Sequence, residues 1–305
     1  MGRSETSILY TSNTPFDMSD WKREEIVRVF AGTDCVMAVT ADGRILQKCR
    51  RQERQARLGY WTRIRQIALS KAVEGLALGL VADGTCLISK RPLRTLCEDR
   101  PGAFERINGS VKSWQNIVQV EVSDAFFALD GLGRVHCACL DQESMEDYRA
   151  VSTWQNVRRI VTGIQNSVFG ITGAGQVLCA GGNCSHGPRG DMSRLLAGVR
   201  DVVDLYPTGS ECEEVVLAQR DGRLRMLSAG TGSSGAYSLE TAGTRKLLDG
   251  HFNYHVYALT REETLICCQE PEAGPVFDPC FAIRSFAVGD AGYGEPFLVA
   301  VGEVR

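Results

Sequence analysis

Turn dipeptides recur along this chain at a near-constant interval. Asp42-Gly43, Asp83-Gly84, Leu132-Gly133, Ala174-Gly175, Asp221-Gly222, Glu262-Glu263 and Val301-Gly302 place their second residues 41, 49, 42, 47, 41 and 39 apart, a mean of about 43. A fixed period of this size belongs to arrays of one supersecondary unit stacked on its own copies. Four tryptophans keep the same phase. Trp61, Trp114 and Trp154 stand three residues before Ile64, Ile117 and Val157, and Trp21 stands five before Ile26.

The content of each unit points to strands. Val36–Thr40, Phe126–Leu129 and Val256–Thr260 are short β-branched or aromatic runs ending at a tight turn, the mark of a hairpin. After the turn, Ile45, Val135, Val177, Leu224 and Leu265 alternate with Gln47, Cys137, Cys179, Met226 and Cys267 at the period of two that defines one strand face. About 40 residues with roughly four short strands make one propeller blade. Seven turns imply seven blades, near residues 17–60, 61–110, 111–150, 151–196, 197–243, 244–280 and 281–305 with 1–16, all in one domain. The seventh unit stops at Arg305, three residues past its turn, while Ile8-Leu9-Tyr10 has no unit of its own. The expected fold is therefore an all-β, seven-bladed β-propeller, closed by the N-terminal strand pairing with the C-terminal blade. A small residue before the last apolar of each run (Ala38, Gly79, Ala128, Gly170, Ala258) is expected to relieve crowding near the axis. Helix is expected only as short turns near 141–150 and 191–196.

Trp114-Gln115-Asn116-Ile117, then Phe126-Phe127-Ala128-Leu129, then Gly133-Arg134-Val135 resembles a regulator-of-chromosome-condensation repeat. The pattern returns at Trp154-Gln155-Asn156-Val157 through Gly175-Gln176-Val177, and between Ile26 and Ile45. The resemblance covers nearly the whole chain, in phase more than in identity, and suggests a divergent, bacterial-type member. It implies a seven-bladed propeller that acts by binding: one family member exchanges nucleotide on the Ran GTPase and docks on nucleosomes, and a bacterial relative inhibits β-lactamases. The family's histidine before the hairpin run is matched here only by His255, with Cys35 and Ser167 in its place elsewhere. WD-repeat propellers are the nearest rival, but no Trp-Asp pair ends a strand.

The chemical motifs each have a plainer explanation. Twelve cysteines include Cys86, Cys137, Cys179 and Cys267 at the post-turn position, where cysteine behaves as a small hydrophobe. Without a Cys-x-x-Cys pair or an apolar leader, free thiols and a cytoplasmic location are expected. Cys179, Cys184 and His186 lack a fourth local metal ligand. Gly230-Thr231-Gly232-Ser233-Ser234-Gly235 fits a dinucleotide fingerprint as a string, but no helix-forming sequence follows, so it reads as a loop between blades. His136 alternates with apolar neighbours on a strand, and Asp42, Asp83 and Asp221 are hairpin residues. No catalytic residues, cofactor or metal are expected, and the chain is read as non-enzymatic.

Apolar residues at 44% and charged residues at 23% exclude disorder as the main state, and no apolar run approaches a membrane span. Net charge is only −3, yet residues 44–112 carry 15 Lys and Arg against 6 acids (+9), and residues 201–305 carry 8 against 16 (−8). The expected function is that of a monomeric protein-binding module whose partner sits on one face of the propeller, held by the long connections between blades at 47–60, 89–108, 139–150 and 180–195. The candidate interface comprises Arg54, Arg57, Tyr60, Arg91, Arg94 and Tyr148. The main alternative is nucleic acid or another polyanion on the basic sector 44–112, with exchange-factor or inhibitor activity by family analogy as a further one.

Overall fold

The repeated turns are hairpins with left-handed glycines. Gly43, Gly84, Gly133, Gly175 and Gly222 have φ between 74° and 86°, a region open to glycine without a Cβ penalty. Each N–H donates to the carbonyl three residues back, on Thr40, Val81, Asp130, Thr172 and Gln219, at 2.9–3.0 Å. Glu263 does the same toward Thr260 at 3.1 Å with φ 55°.

The computed structural model describes residues 8–51, 58–140, 142–163, 167–181, 192–208, 214–228, 234–238, 248–250, 255–270, 273–278, 280–290 and 296–304. Their strands form seven antiparallel sheets. The first holds β2 (Ile26–Gly32), β3 (Cys35–Thr40) and β4 (Ile45–Cys49), and the second β5 (Ile64–Leu69), β6 (Ala77–Val81) and β7 (Cys86–Ile88). The third holds β8 (Ile117–Val122), β9 (Ala125–Asp130) and β10 (Val135–Cys139). The fourth holds β11 (Val157–Thr162), β12 (Val168–Thr172) and β13 (Val177–Ala180). The fifth has four strands, β14 (Val202–Thr208), β15 (Glu214–Gln219), β16 (Arg223–Ser228) and β17 (Ser234–Ser238). The sixth holds β18 (Leu248–Gly250), β19 (Val256–Leu259) and β20 (Leu265–Cys267). In the last, β1 (Ile8–Ser12) pairs with β22 (Pro296–Val304), which pairs with β21 (Phe281–Asp290).

The middle strands are apolar on both faces because each sheet is packed between two others. On β3, Val36 and Ala38 join Val29, Phe297, Val299 and Val301 in one cluster. Met37 and Val39 point the other way, onto Trp61, Ile64 and Ile67. β9 repeats this, with Phe126 and Ala128 packed toward the second sheet and Phe127 and Leu129 toward Trp154 and Val157 of the fourth. Two-sided burial is why these runs lack hydrophobic–polar alternation.

Four expectations need correction. The small residues lie on middle strands rather than at an axis. A Cβ on Gly79 would approach the Trp61 ring to 2.7 Å, and one on Gly170 the Trp154 ring to 2.9 Å, so the gap serves the tryptophan of the same unit. Val301-Gly302 is not a turn. β22 runs through it unbroken, with Gly302 opposite both Ile283 and Ile8, and a Cβ there would strike the Ala282 carbonyl. Ser234 and Gly235, the end of the string read as a loop between blades, belong to β17, which pairs with β16. Finally, Cys35 and Cys49, read as free thiols, are disulfide-bonded. They are direct partners across the β3–β4 hairpin with Cα atoms 4.1 Å apart, so register brings their sulfurs together.

Helices occupy the connections. α3 (Gln142–Asp147) and α4 (Met192–Leu196) fall where short turns were expected, but α1 (Lys90–Leu96) and α2 (Ala103–Ser113) fill a connection read as loop. α2 buries Ala103, Ile107 and Val111 at four-residue spacing against the second and third sheets. No helix among the described residues is long and apolar enough to cross a membrane.

Candidate functional site

The first strand of each sheet is an edge, and edge N–H and C=O groups need partners. Side chains of the neighbouring sheet supply them. Gln66 accepts from the Val120 N–H at 3.3 Å and donates to the Val120 carbonyl at 2.9 Å. Gln119 treats Ile160 the same way, at 2.9 and 2.6 Å. Arg28 donates to the Arg65 carbonyl. Arg159 pairs with Asp204 at 2.5 Å, and Asp204 in turn accepts from the Leu248 N–H at 3.1 Å. Asp249 accepts from Val288 N–H at 3.0 Å, and Ser285 from Val29 N–H at 3.3 Å. Each successive pair of sheets is tied in this way, the last with the first included. Six of these residues (Arg28, Gln66, Gln119, Arg159, Asp204, Ser285) follow a β-bulge at one shared position. None was singled out from sequence. The available signal was a polar residue two places after the first apolar residue of each unit.

These first strands enclose a cavity of about 880 Å³. Around one mouth stand Val27, Arg65, Val118, Arg158, Val203 and Arg284, one from each of six sheets and each just after the first residue of its strand or the tied apolar position. Val27 and Val118 are over two-fifths exposed. The opposite end is crossed by Lys71, from the β5–β6 connection. Its ammonium donates to the Tyr206 hydroxyl at 2.6 Å, Asp249 Oδ1 at 2.8 Å and the Gly250 carbonyl at 2.7 Å. The Arg158 guanidinium, which donates to the Val202 carbonyl at 2.6 Å, is held below the usual range by burial and then by the charges of Arg220 and Arg159.

The expected interface residues do not all meet. Arg54 and Arg57 lie outside the described residues. Tyr60 is exposed, with its hydroxyl donating to the Ile88 carbonyl at 3.0 Å and Lys90 Nζ lying 5.2 Å from its ring centre. Arg91 and Arg94 project from α1, Arg94 over the Phe104 ring at 4.8 Å. Tyr60 thus meets Lys90 at the start of α1, which also carries exposed Arg91 and Arg94. Tyr148 is corrected to a core residue. It packs edge-on against Phe127 and donates to Asp124 Oδ1 at 2.7 Å, and burial, then the Asp124 charge, pushes its phenol up. Its ring has no free face for a partner.

The remaining polar groups are engaged in turns. Asp42 is held at about 2 by hydrogen bonds from Thr40 and Arg44. Asp130 accepts from Arg134 at 2.8 Å and contacts His136 Nε2 at 3.1 Å. Cys86 is pushed up to about 12 by burial. Cys184 and His186, of the weighed metal set, lie outside the described residues.

No protein-family model and no curated protein matches the sequence. Among solved structures, the chain is similar to Prp20p from Saccharomyces cerevisiae, reported with its binding properties to Gsp1p and histones. That match has a TM-score of 0.59 and 12% identity over 99% of this chain and 92% of that one. It is also similar to yeast RCC1 (Prp20) bound to Kap60, with a TM-score of 0.55 and 15% identity over 99% and 90% of the two chains. At such identities the likeness is one of fold, a β-propeller resembling that of RCC1.

Proposed function

We propose that this propeller is a non-enzymatic module for binding an acidic protein surface, and that the Tyr60–Lys90–Arg91–Arg94 cluster is its contact. The observation carrying this reading is an exposed aromatic ring beside three exposed cations, on a helix backed by buried Pro92 and Leu93. Tyr and Arg on a rigid support make effective interface anchors. Binding to Gsp1p, histones and Kap60 by the yeast neighbours supports a protein partner in kind. We read the seven sheets as seven blades of one ring, closed by β1 on β22; the ties from Ser285 to Val29 and the shared core of Val301 with Ala38 support this. We also read the chain as a monomer in a reducing compartment; the eight described cysteines that are free favour that compartment, and the Cys35–Cys49 disulfide speaks against it. Affinity capture with the wild type and with the R91E/R94E variant tests the contact: proteins captured by the first are lost from the second. Identical captures, or none, overturn it. Nucleic acid on the basic sector predicts instead that heparin retention survives physiological salt.

A further inference from the structure

Around the mouth of the central cavity, valine and arginine alternate by sheet: Val27, Arg65, Val118, Arg158, Val203, and then Arg284 of the last sheet. With Arg28, Arg159 and Lys71, six cations line the cavity against two acids, Glu121 and Asp249. Three of the cations have acids of their own: Lys71 has Asp249, Arg159 has Asp204 and Arg284 has Glu303. Glu121 accepts from Gln119 at 3.0 Å. Arg65 and Arg158 form no ion pair with an acid among the described residues, although the Asp204 charge acts on Arg158, and they enter from the second and fourth sheets, on either side of Val118.

We propose that this mouth is a binding site for a compact polyanion, a small molecule bearing several phosphate or carboxylate groups. Guanidinium forks match such oxygens two at a time. Arginines approaching from different sheets suit an anion whose charges are spread around its perimeter. The intervening valines keep water from part of the rim, where lower local polarity strengthens each charge contact. Burial and the crowding of Arg158 by Arg220 and Arg159 leave positive charge that an anion relieves. The volume of about 880 Å³ falls within the range of small-ligand sites. Lys71 spans the far end of the cavity to Tyr206 and Asp249, an obstacle to a long chain threading it.

Isothermal titration of the full chain with inositol hexakisphosphate, tripolyphosphate and citrate tests the site. One saturable site per chain is expected, weakening as salt rises. Binding of the phosphate probes without citrate identifies a phosphate ligand; binding of all three identifies a general polyanion site. R65Q/R158Q weakens binding by at least about tenfold, the loss of charge-assisted contacts. V118E, a change at an exposed rim position, does the same and decides the matter if the double variant fails to fold. K22Q/R23Q, an exposed basic pair away from the cavity, binds as wild type. The proposal is overturned if no probe saturates, if V118E binds normally, if K22Q/R23Q loses binding equally, or if only an acidic peptide binds. Arg91 and Arg94 take no part, so failure here leaves the perimeter contact standing, and the reverse.

Discussion

Replacing Gln119 by leucine isolates the tie between the third and fourth sheets. The amide holds both backbone groups of Ile160, the N–H at 2.9 Å and the carbonyl at 2.6 Å, and Ile160 is fully buried. Leucine is close in size but can satisfy neither. Each buried backbone group left unpaired costs about 1–3 kcal/mol, so the pair costs about 2–5 kcal/mol, with leucine's extra apolar area trimming the upper end. Unfolding entropy of about 2.1 cal/mol/K per residue, taken over 305 residues, converts 1 kcal/mol into about 1.6 °C. Q119L is therefore expected to melt about 3–8 °C below wild type by scanning calorimetry. Q155L, the same exchange at an exposed position before β11, serves as the reference. If Q119L melts within a degree of Q155L, the side chain is not what satisfies Ile160 and the account of the junctions is wrong.

Removal of residues 1–12 strips β1 from β22 and takes buried Leu9 out of the core it shares with Val299 and Val301. It is expected to lower stability by about 2 kcal/mol from leucine burial alone, with more from lost strand pairing, and to produce concentration-dependent association through the bared edge, read by light scattering; an unchanged monomer with an unchanged melt contradicts this. Asp130 is destabilised as an anion by burial, but hydrogen bonds from Arg134, His136 and Leu132 outweigh that and leave its carboxyl below 3.8. A depressed carboxyl contributes stability above its unfolded value and loses it as pH falls through the folded value, so wild type is expected to lose melting temperature below pH 3.8 and D130N to lose less over the same interval.

What could be read from the residues was what depends on neighbours in sequence. A hairpin needing positive φ asks for glycine at Gly84 or Gly133 whatever the rest of the fold, and the tryptophans mark the start of each unit. The helix α2 was also written locally, in Ala103, Ile107 and Val111, but Gly109 and a single exposed turn on each side hid its period. The inter-sheet ties were harder. Arg28, Gln66, Gln119, Asp204 and Ser285 perform related tasks with different chemistry, because amide, carboxylate, guanidinium and hydroxyl can each serve a backbone group. Position alone unites them. Tyr148 shows the opposite error: an aromatic in a long connection reads as surface until Phe127 and Asp124 are seen to receive it. The Cys35–Cys49 pairing was within reach, since both stand seven residues from Asp42 in a hairpin turning there.

Lys71 changes how such an array comes apart. Units that touch only their neighbours behave as a one-dimensional chain, in which one end can melt while the other persists. A single ammonium joining the second sheet to Tyr206 of the fifth and Asp249 of the sixth, 178 residues away in sequence, draws a chord across that chain. Opening the second sheet takes Lys71 from Asp249, whose carboxylate is nearly inaccessible to water, and a buried charge without its counter-ion is costly; opening the sixth breaks the same pair, and opening the fifth loses the Tyr206 contact. Local opening is thereby replaced by a larger cooperative unit, and the slowest amides of β6, β15 and β19 are bound to exchange their hydrogens at one common rate.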